Sequence, residues 1–362
     1  PPSRAFFKVA LPMSRPWIVS GLALVLMETL ADFGAVSIFN YDTFTTAIYK
    51  SWFGFFSLKA AAQLSSLLVL LAVTLVFVEG LFKKRMRYYD SSRGGATHTR
   101  LKLQGWSAFW VVTYCSSILL IAFVVPVFQL TLWSLKVLRS GESAAYLEVI
   151  FKTLFLGATA AVIICLAAVL LAYSRRRNKS WGNRVLSRIA TVGYALPGTV
   201  LAVGIFIPIS KFDNLLREAL QAIAHIDPGP LLQGTLVVML AAYLIRFLAV
   251  GFGAVDSGMQ NIKPSLDEAS AILGRSGGET LRMIHFPLLK KGLLTALVLV
   301  LVDVIKEMPI TLMTRPFGWD TLAVKIYELT SEGEWVRAAL PGSYLVLAGI
   351  IPVILLINQM EK

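Results

Sequence analysis

The sequence predicts an all-α membrane protein, a polytopic helical bundle of about eight transmembrane helices. Of its 362 residues, 56% are hydrophobic and only 15% charged, and the mean hydropathy is +0.70. A water-soluble fold has too few polar side chains at that composition to cover its surface. The apolar residues also fall in long unbroken runs, of the roughly 20 residues that a helix needs to cross a bilayer. The basic residues gather between the runs, as in cytoplasmic loops.

The runs lie near 17–37, 60–82, 106–134, 149–173, 189–210, 231–253, 292–313 and 341–359. Each is expected as a helix, because barrel strands alternate in polarity and are about half as long. Lys83-Lys84-Arg85-Met86-Arg87, with Arg93, Arg100 and Lys102, follows the second run, and Arg175-Arg176-Arg177-Asn178-Lys179, with Arg184 and Arg188, follows the fourth. Both clusters belong on the cytoplasmic side of a bacterial plasma membrane. Counting from them places the N-terminus, the loop around Glu268 and the C-terminus in the cytoplasm. Segments 38–59, 135–148, 211–230 and 314–340 then face outward.

The net charge of +13 would suggest nucleic acid in a soluble chain. Here the basic clusters set topology and meet anionic lipid, no aromatic residues interleave with them, and no nucleic-acid partner is expected. Cys115 and Cys165 sit inside apolar runs, and His98, His225 and His285 are scattered through three loops. That leaves no disulfide framework and no metal cluster. A phosphate-binding Gly-rich Lys loop and a nucleophile elbow are also lacking, so the chain is expected to bind no cofactor and catalyse nothing.

An internal comparison predicts a duplication. Val9-Ala10-Leu11-Pro12 matches Ile284-His285-Phe286-Pro287, and the following runs carry Glu28 with Asp32 and Asp303 with Glu307. Asp42-Thr43-Phe44 and Ile48-Tyr49 then match Asp320-Thr321-Leu322 and Ile326-Tyr327. Residues 1–104 are expected to be the end of a first copy, with two spans and a basic linker, whose earlier spans are missing from an N-terminally truncated chain. Residues 105–362 are expected to be a complete second copy of six spans, with a polar loop at 256–291. The repeat keeps both proline loops on one side, so it is parallel.

The polar loop is the most informative part. Good helix formers run from Glu268 to Leu273 after Pro264-Ser265, with Ser265 placed to cap the helix and Asp267 and Glu268 suited to its positive end. Gly274 and Gly277-Gly278 are expected to break it. A second short helix over 279–284 is expected to stop at Pro287. The small Ala269, Ser270 and Ala271 leave room for another backbone, which suits contact with a partner protein.

Glu268-Ala269-Ser270, Gly274 six residues after the Glu, and Ile284-x-Phe286-Pro287 ten residues further on resemble the EAA loop of type I ABC importer permeases. Ser270 stands for the usual second Ala, and Phe286 for the usual Leu. Val302 to Leu312, with Arg315-Pro316-Phe317 and Thr321-Leu322-Ala323, resembles the fused two-repeat ferric iron permeases, and the similarity covers essentially the whole chain. The resemblance implies the type I permease fold and an inner-membrane subunit of a binding-protein-dependent importer. It implies a coupling loop of Glu268, Ala269, Ser270, Gly274, Ile284 and Pro287 that docks on a cytoplasmic ABC ATPase dimer, with a remnant of the first loop at Val9 and Pro12. ATP and Mg would sit on that partner, and a periplasmic or extracellular solute-binding protein would load the pathway. Ferric iron is the first substrate implied, with thiamine, polyamine and phosphonate as alternatives. An ion-coupled secondary carrier and a plain membrane anchor are the readings from other classes.

Intramembrane ionisable groups are costly and point to a translocation pathway. Glu28 with Asp32, and Asp303 with Glu307, each share a helical face, and Lys306 adjoins Glu307. Four carboxylates meeting about a pseudo-twofold axis would suit a hard trivalent cation. Structural pairing, or a place in water at the outer rim, are the alternatives, and adjacent Lys306 and Glu307 must each find a partner elsewhere. Tyr194 to Thr199 is expected to kink a span. Arg246 is expected to snorkel to the headgroups, or to bind a carbonyl at that hinge.

Overall fold

In a bilayer the backbone must satisfy its own hydrogen bonds, and among the described residues all regular elements do so as helices. The computed structural model describes residues 2–84, 104–141, 145–178, 180–225 and 229–360. A π turn over Phe6–Ala10 leads into α1 (Leu11–Ala31), then α2 (Gly34–Ile38), α3 (Phe44–Tyr49) and α4 (Leu58–Lys84). Next come α5 (Trp106–Arg139), α6 (Ala145–Arg177), α7 (Trp181–Thr191), α8 (Gly198–Ala224) and α9 (Leu236–Gln260). The polar loop holds α10 (Pro264–Ile272), α11 (Gly277–Thr280) and another π turn, Leu281–His285. The chain then forms α12 (Lys290–Ile305), α13 (Pro309–Thr314), α14 (Leu322–Ser331) and α15 (Trp335–Met360).

Among the described residues six helices, α4, α5, α6, α8, α9 and α15, are long and apolar enough to cross a membrane. A seventh span results if Phe6–Arg15 and Trp17–Ala31, bent by 53°, count as one. The expected run at 292–313 is broken: α12 stops at Ile305 after 16 residues and α13 restarts at Pro309. Hydropathy does not register a break whose flanks are both apolar. The fifth expected run, 189–210, is also displaced. Its first part belongs to α7, an amphipathic helix carrying Arg184 and Arg188, and the span itself begins after Pro197 and runs to Ala224. In α5 no residue of the most apolar window is buried within the chain, as suits a helix facing lipid. The basic residues from Arg85 to Lys102, and Lys179, lie outside the described residues.

Helices α6, α9 and α12 form the main core, where small residues let backbones approach as lipid-immersed helices require. Ala160, Ala161, Ala168 and Ala172 of α6 are buried against α9 and α12 with Tyr243, Val255, Ala296 and Val300. A Cβ on Gly157 would come within 2.7 Å of Ile305 Cγ2 and 2.9 Å of Leu301 Cδ1, so any larger residue at that helix crossing must push these side chains aside. A second core joins α4 and α3 to α8 through Ile48, Ala61, Leu68, Val200 and Val203. Where α2 and α3 reach α13 and α14, buried Phe33, Met308, Ala323 and Val324 close a seam.

Elements before α4 and after α10 follow one another in the same order. The π turns start 275 residues apart, at Phe6 and Leu281, and each is followed by a proline, Pro12 and Pro287, in the next helical turn. The longer helix then breaks at Asp32-Phe33 or at Lys306–Met308, and a short helix follows. The N-cap threonines Thr43 and Thr321 come next.

Candidate functional site

The polar loop folds as helix, turn, helix, and its caps explain why. Pro264 occupies the first turn of α10 and Lys263 is its N-cap, so the expected cap at Ser265 falls inside the helix. Gly274 ends α10 with φ +71°, a left-handed conformation that side chains resist, and Arg275 N–H closes the turn on Ser270 O at 3.1 Å. Gly277 and Gly278 begin the second helix rather than breaking the first. Ser276 caps it reciprocally with Glu279: Ser276 N–H donates to Glu279 Oε2 at 2.7 Å, and Glu279 N–H to Ser276 Oγ at 3.3 Å. These bonds, with burial working slightly against them, hold the Glu279 carboxyl below its usual range. Pro287 does not stop the segment, because the π turn shifts the hydrogen-bond register and puts the proline in a first turn, where its missing N–H is not needed.

One face of this loop is tied down and the other is free. Ser270 is buried and its hydroxyl meets Thr280 Oγ1 at 2.8 Å, locking α10 to α11. Asp267 Oδ1 meets His285 Nε2 at 2.6 Å, and Arg176 Nε donates to Asp267 Oδ2 at 2.7 Å. Arg176 also donates to Met259 O at 2.6 Å and to Ile262 O at 3.0 Å, so the end of α6 clamps the exit of α9 and the loop. Burial pushes the Asp267 carboxyl up, but the bonds and charges of Arg176 and His285 outweigh it and hold the group below its usual range. Glu268 and Ala269 are exposed, with Ile272 at 86% and Leu273 at 78%. Two neighbouring aliphatic side chains are thus left uncovered by the rest of the described residues.

The broken helix α12–α13 carries the second constellation. Glu307 is 6% exposed, and its Oε1 accepts Ile310 N–H at 3.1 Å, capping α13. Arg246 Nε lies 3.4 Å from Glu307 Oε2, close enough for charge attraction though without hydrogen-bond geometry. Arg246 Nη1 donates to Leu196 O at 3.4 Å, beside Pro197. A Cβ on Gly198 would lie 2.7 Å from both Arg246 Nη1 and Glu307 Oε1, so glycine there admits the pair. Tyr243 and Thr311 share a buried hydroxyl bond just beyond. Arg246 therefore binds the hinge carbonyl and a carboxylate, and the expected snorkel to the headgroups is not its role.

A profile of the binding-protein-dependent transport system inner membrane component family matches residues 164–358, a stretch that includes the polar loop and the broken helix. The chain belongs to this family. Among curated relatives of this permease, the Fe(3+)-transport system permease protein FbpB 2 of Haemophilus influenzae is 25% identical, covering 98% of the chain and 68% of that protein. The ferric transport system permease protein FbpB of Actinobacillus pleuropneumoniae is also 25% identical, covering 95% of the chain. The permease spans only 50% of that relative's length. A solved bacterial ABC transporter involved in alginate import shares the fold, with a TM-score of 0.53 and 16% identity over 70% of this chain and 94% of that one.

The permease distributes its acidic groups unevenly. Asp303 pairs with Lys306 at 2.9 Å, and Glu28 and Tyr194 lie within electrostatic reach of Lys306. Asp32 instead caps α2, its Oδ1 accepting Ala35 N–H at 3.3 Å, while its carbonyl accepts the Thr45 hydroxyl at 2.6 Å. Asp32 and Glu307 thus do the same job at matched positions. Among the described residues no three His, Cys, Asp or Glu side chains come together as a metal cage, so the four carboxylates do not converge in this conformation. Val9 is exposed ahead of α1, Pro12 is half-buried in the first turn of α1, and Ile284 is half-buried in the π turn.

Sequence reasoning did not single out four participants as site residues. Tyr49 and Tyr327 meet edge to face with ring centroids 6.1 Å apart, and Phe33 packs on both, at 5.4 and 5.7 Å. Their matched places after the two threonine caps were the available signal. Tyr173, which donates to Gly277 O at 2.7 Å, gave none, because its partner lies 104 residues away.

Proposed function

We propose that this permease is the membrane subunit of an ATP-driven, binding-protein-dependent importer for ferric iron. The observation that carries the reading is the two-sided loop: one face is bonded to the ends of α6 and α9, and the other presents Glu268, Ala269, Ile272 and Leu273. Such a loop transmits force if a partner grips its free face, and a cytoplasmic ABC ATPase dimer is the partner this family's mode of transport requires. The loop, both basic clusters and both chain ends then face the cytoplasm, and the Phe317 end of the molecule meets a solute-binding protein.

The two segments with matched π turns, breaks and caps are repeats in this reading. Their seam, at Phe33, Tyr49 and Tyr327, closes the route in this conformation, and Glu28, Asp303 and Lys306 border it. ATP binding and hydrolysis stay on the partner. Rocking of the loop would pass through the π turn and α12 to the break at Glu307, which separates the seam and switches access. Ferric iron rests on the two ferric permeases among the relatives and on the acidic border of the seam.

The test is ATP-dependent uptake into proteoliposomes containing the native transporter, its ATPase and its solute-binding protein. Ferric iron should accumulate, and Glu28→Gln with Asp303→Asn should lower its uptake several-fold. Uptake of a phosphonate, thiamine or a polyamine in place of iron would overturn the substrate, and uptake indifferent to ATP would overturn the whole reading.

A further inference from the structure

Behind the loop lies an open cavity of about 340 Å³, lined by the end of α6, the Arg275–Gly277 turn, Asp267 and His285. Its walls carry three guanidinium groups, those of Arg176, Arg177 and Arg275. Arg176 is committed to Asp267 and to backbone carbonyls, and Arg275 lies 3.6 Å from Glu279. Among the described residues no carboxylate pairs with Arg177. His285 is 1% exposed and uses Nε2 on Asp267, while its Nδ1 is buried without a hydrogen-bond partner. Buried polar nitrogens are nearly always satisfied, and with Nε2–H given to the Asp267 carboxylate the neutral ring leaves Nδ1 as an acceptor, so the wall offers guanidinium donors and one buried acceptor to an occupant that carries both oxygens and a hydroxyl.

The turn is shaped to keep this space open. A Cβ on Gly277 would lie 2.2 Å from Arg177 Nη1 and 2.7 Å from the Tyr173 hydroxyl. Glycine therefore lets Arg177 close over the turn while Tyr173 holds its carbonyl. None of this serves the free face of the loop, which points away through Ile272 and Leu273.

We propose that the cavity binds a phosphate group, tying the end of α6 to the Arg275 turn. Guanidinium forks suit tetrahedral oxyanions, and donors from Arg177 and Arg275, with His285 Nδ1 as an acceptor for a hydroxyl, match hydrogen phosphate or a hydroxyl-bearing phosphate headgroup better than a flat carboxylate. The apolar run of α6 ends just before Arg175–Arg177, so the cavity lies where the span meets water, at the depth of lipid phosphates. An anionic lipid headgroup and free phosphate share this chemistry.

The site is tested by binding, independently of transport. The native transporter is placed in nanodiscs of phosphatidylcholine alone, or of phosphatidylcholine with phosphatidylglycerol, and titrated with inorganic phosphate. Hydrogen exchange of the amides between 273 and 281 is read throughout. Exchange should slow saturably with phosphatidylglycerol, with phosphate or with both, and which of them works identifies the source. Arg177→Gln should weaken the response about tenfold or more, Arg177→Lys should keep part of it, and Gly277→Ala should abolish it by filling the space. Because Arg177 is exposed, its variant decides the matter if the glycine variant fails to fold. No response in any medium, or an equal response in both variants, overturns the proposal. Full protection in phosphatidylcholine without phosphate, lost in Arg177→Gln, would mean that a protein carboxylate fills the cavity, and overturns it too.

Discussion

The breaks at Asp32-Phe33 and at Lys306–Met308 use the same local device in different surroundings. In each, an acidic side chain accepts the N–H three residues on and starts a short helix. Asp32 is half-buried, and among the described residues it faces no arginine. Glu307 is buried against Arg246, which also holds the carbonyl before Pro197. Local sequence sets where a helix breaks, and the surroundings decide whether the break is loose or rigid. The rigid break lies at the far end of the helix that begins beside the polar loop, where a proposed motor would apply its force.

The largest contrast should come from removing the two acids. Glu307→Ala strands Arg246 in the core and should cost about 3–5 kcal/mol in thermal unfolding in nanodiscs, whereas Asp32→Ala loses a cap worth about 1 kcal/mol. Equal shifts would erase the distinction. The glycines beside each break should differ next. Gly198→Ala drives a methyl to within 2.7 Å of the ion pair and should cost about 1–3 kcal/mol. Gly34→Ala meets nothing closer than 3.9 Å and should stay within about half a kcal/mol.

Smaller effects belong to the loop. Ser270→Ala removes the Thr280 bond and should speed amide exchange in α10 by an amount near 1 kcal/mol, leaving the Asp32 region unchanged. The pH effect is smallest and purely local. Because the Asp267 carboxyl is held below its ordinary value of 3.8, its contribution is complete above that value and fades as pH falls through the lower folded one. Protection of the loop amides, taken relative to their intrinsic exchange rate at each pH, should therefore be flat from neutral pH down to the ordinary Asp range and fall only in stronger acid. A loss of protection beginning near neutrality would mean that Asp267 is not held as described.

Much of this fold is legible in the sequence, because hydropathy reports lipid burial directly: α4, α5, α6, α9 and α15 fall close to their expected ranges. What escapes is whatever depends on contacts across the chain. Arg246 and Glu307 are 61 residues apart, and neither alone announces a pair, so the arginine reads as a snorkel. The acids at Asp32 and Glu307 are visible as matched positions, but their use as caps depends on the breaks that follow. In the loop, the Glu268 to Leu273 helix and the Gly274 stop are readable from local chemistry. The passage through Pro287 is not, because a π turn leaves no mark in residue type.

The central claim is that the free face of the loop is gripped by an ATPase. In a Cys115→Ser background, which removes the exposed native thiol, Ile272→Cys and Ile223→Cys place equally exposed thiols at opposite ends of the molecule. Treated with a thiol crosslinker in the assembled native transporter, Ile272→Cys should join the ATPase subunit in a manner that changes with ATP, and Ile223→Cys should not. Absence of any ATPase crosslink from Ile272→Cys in a transporter that still imports iron would contradict the account.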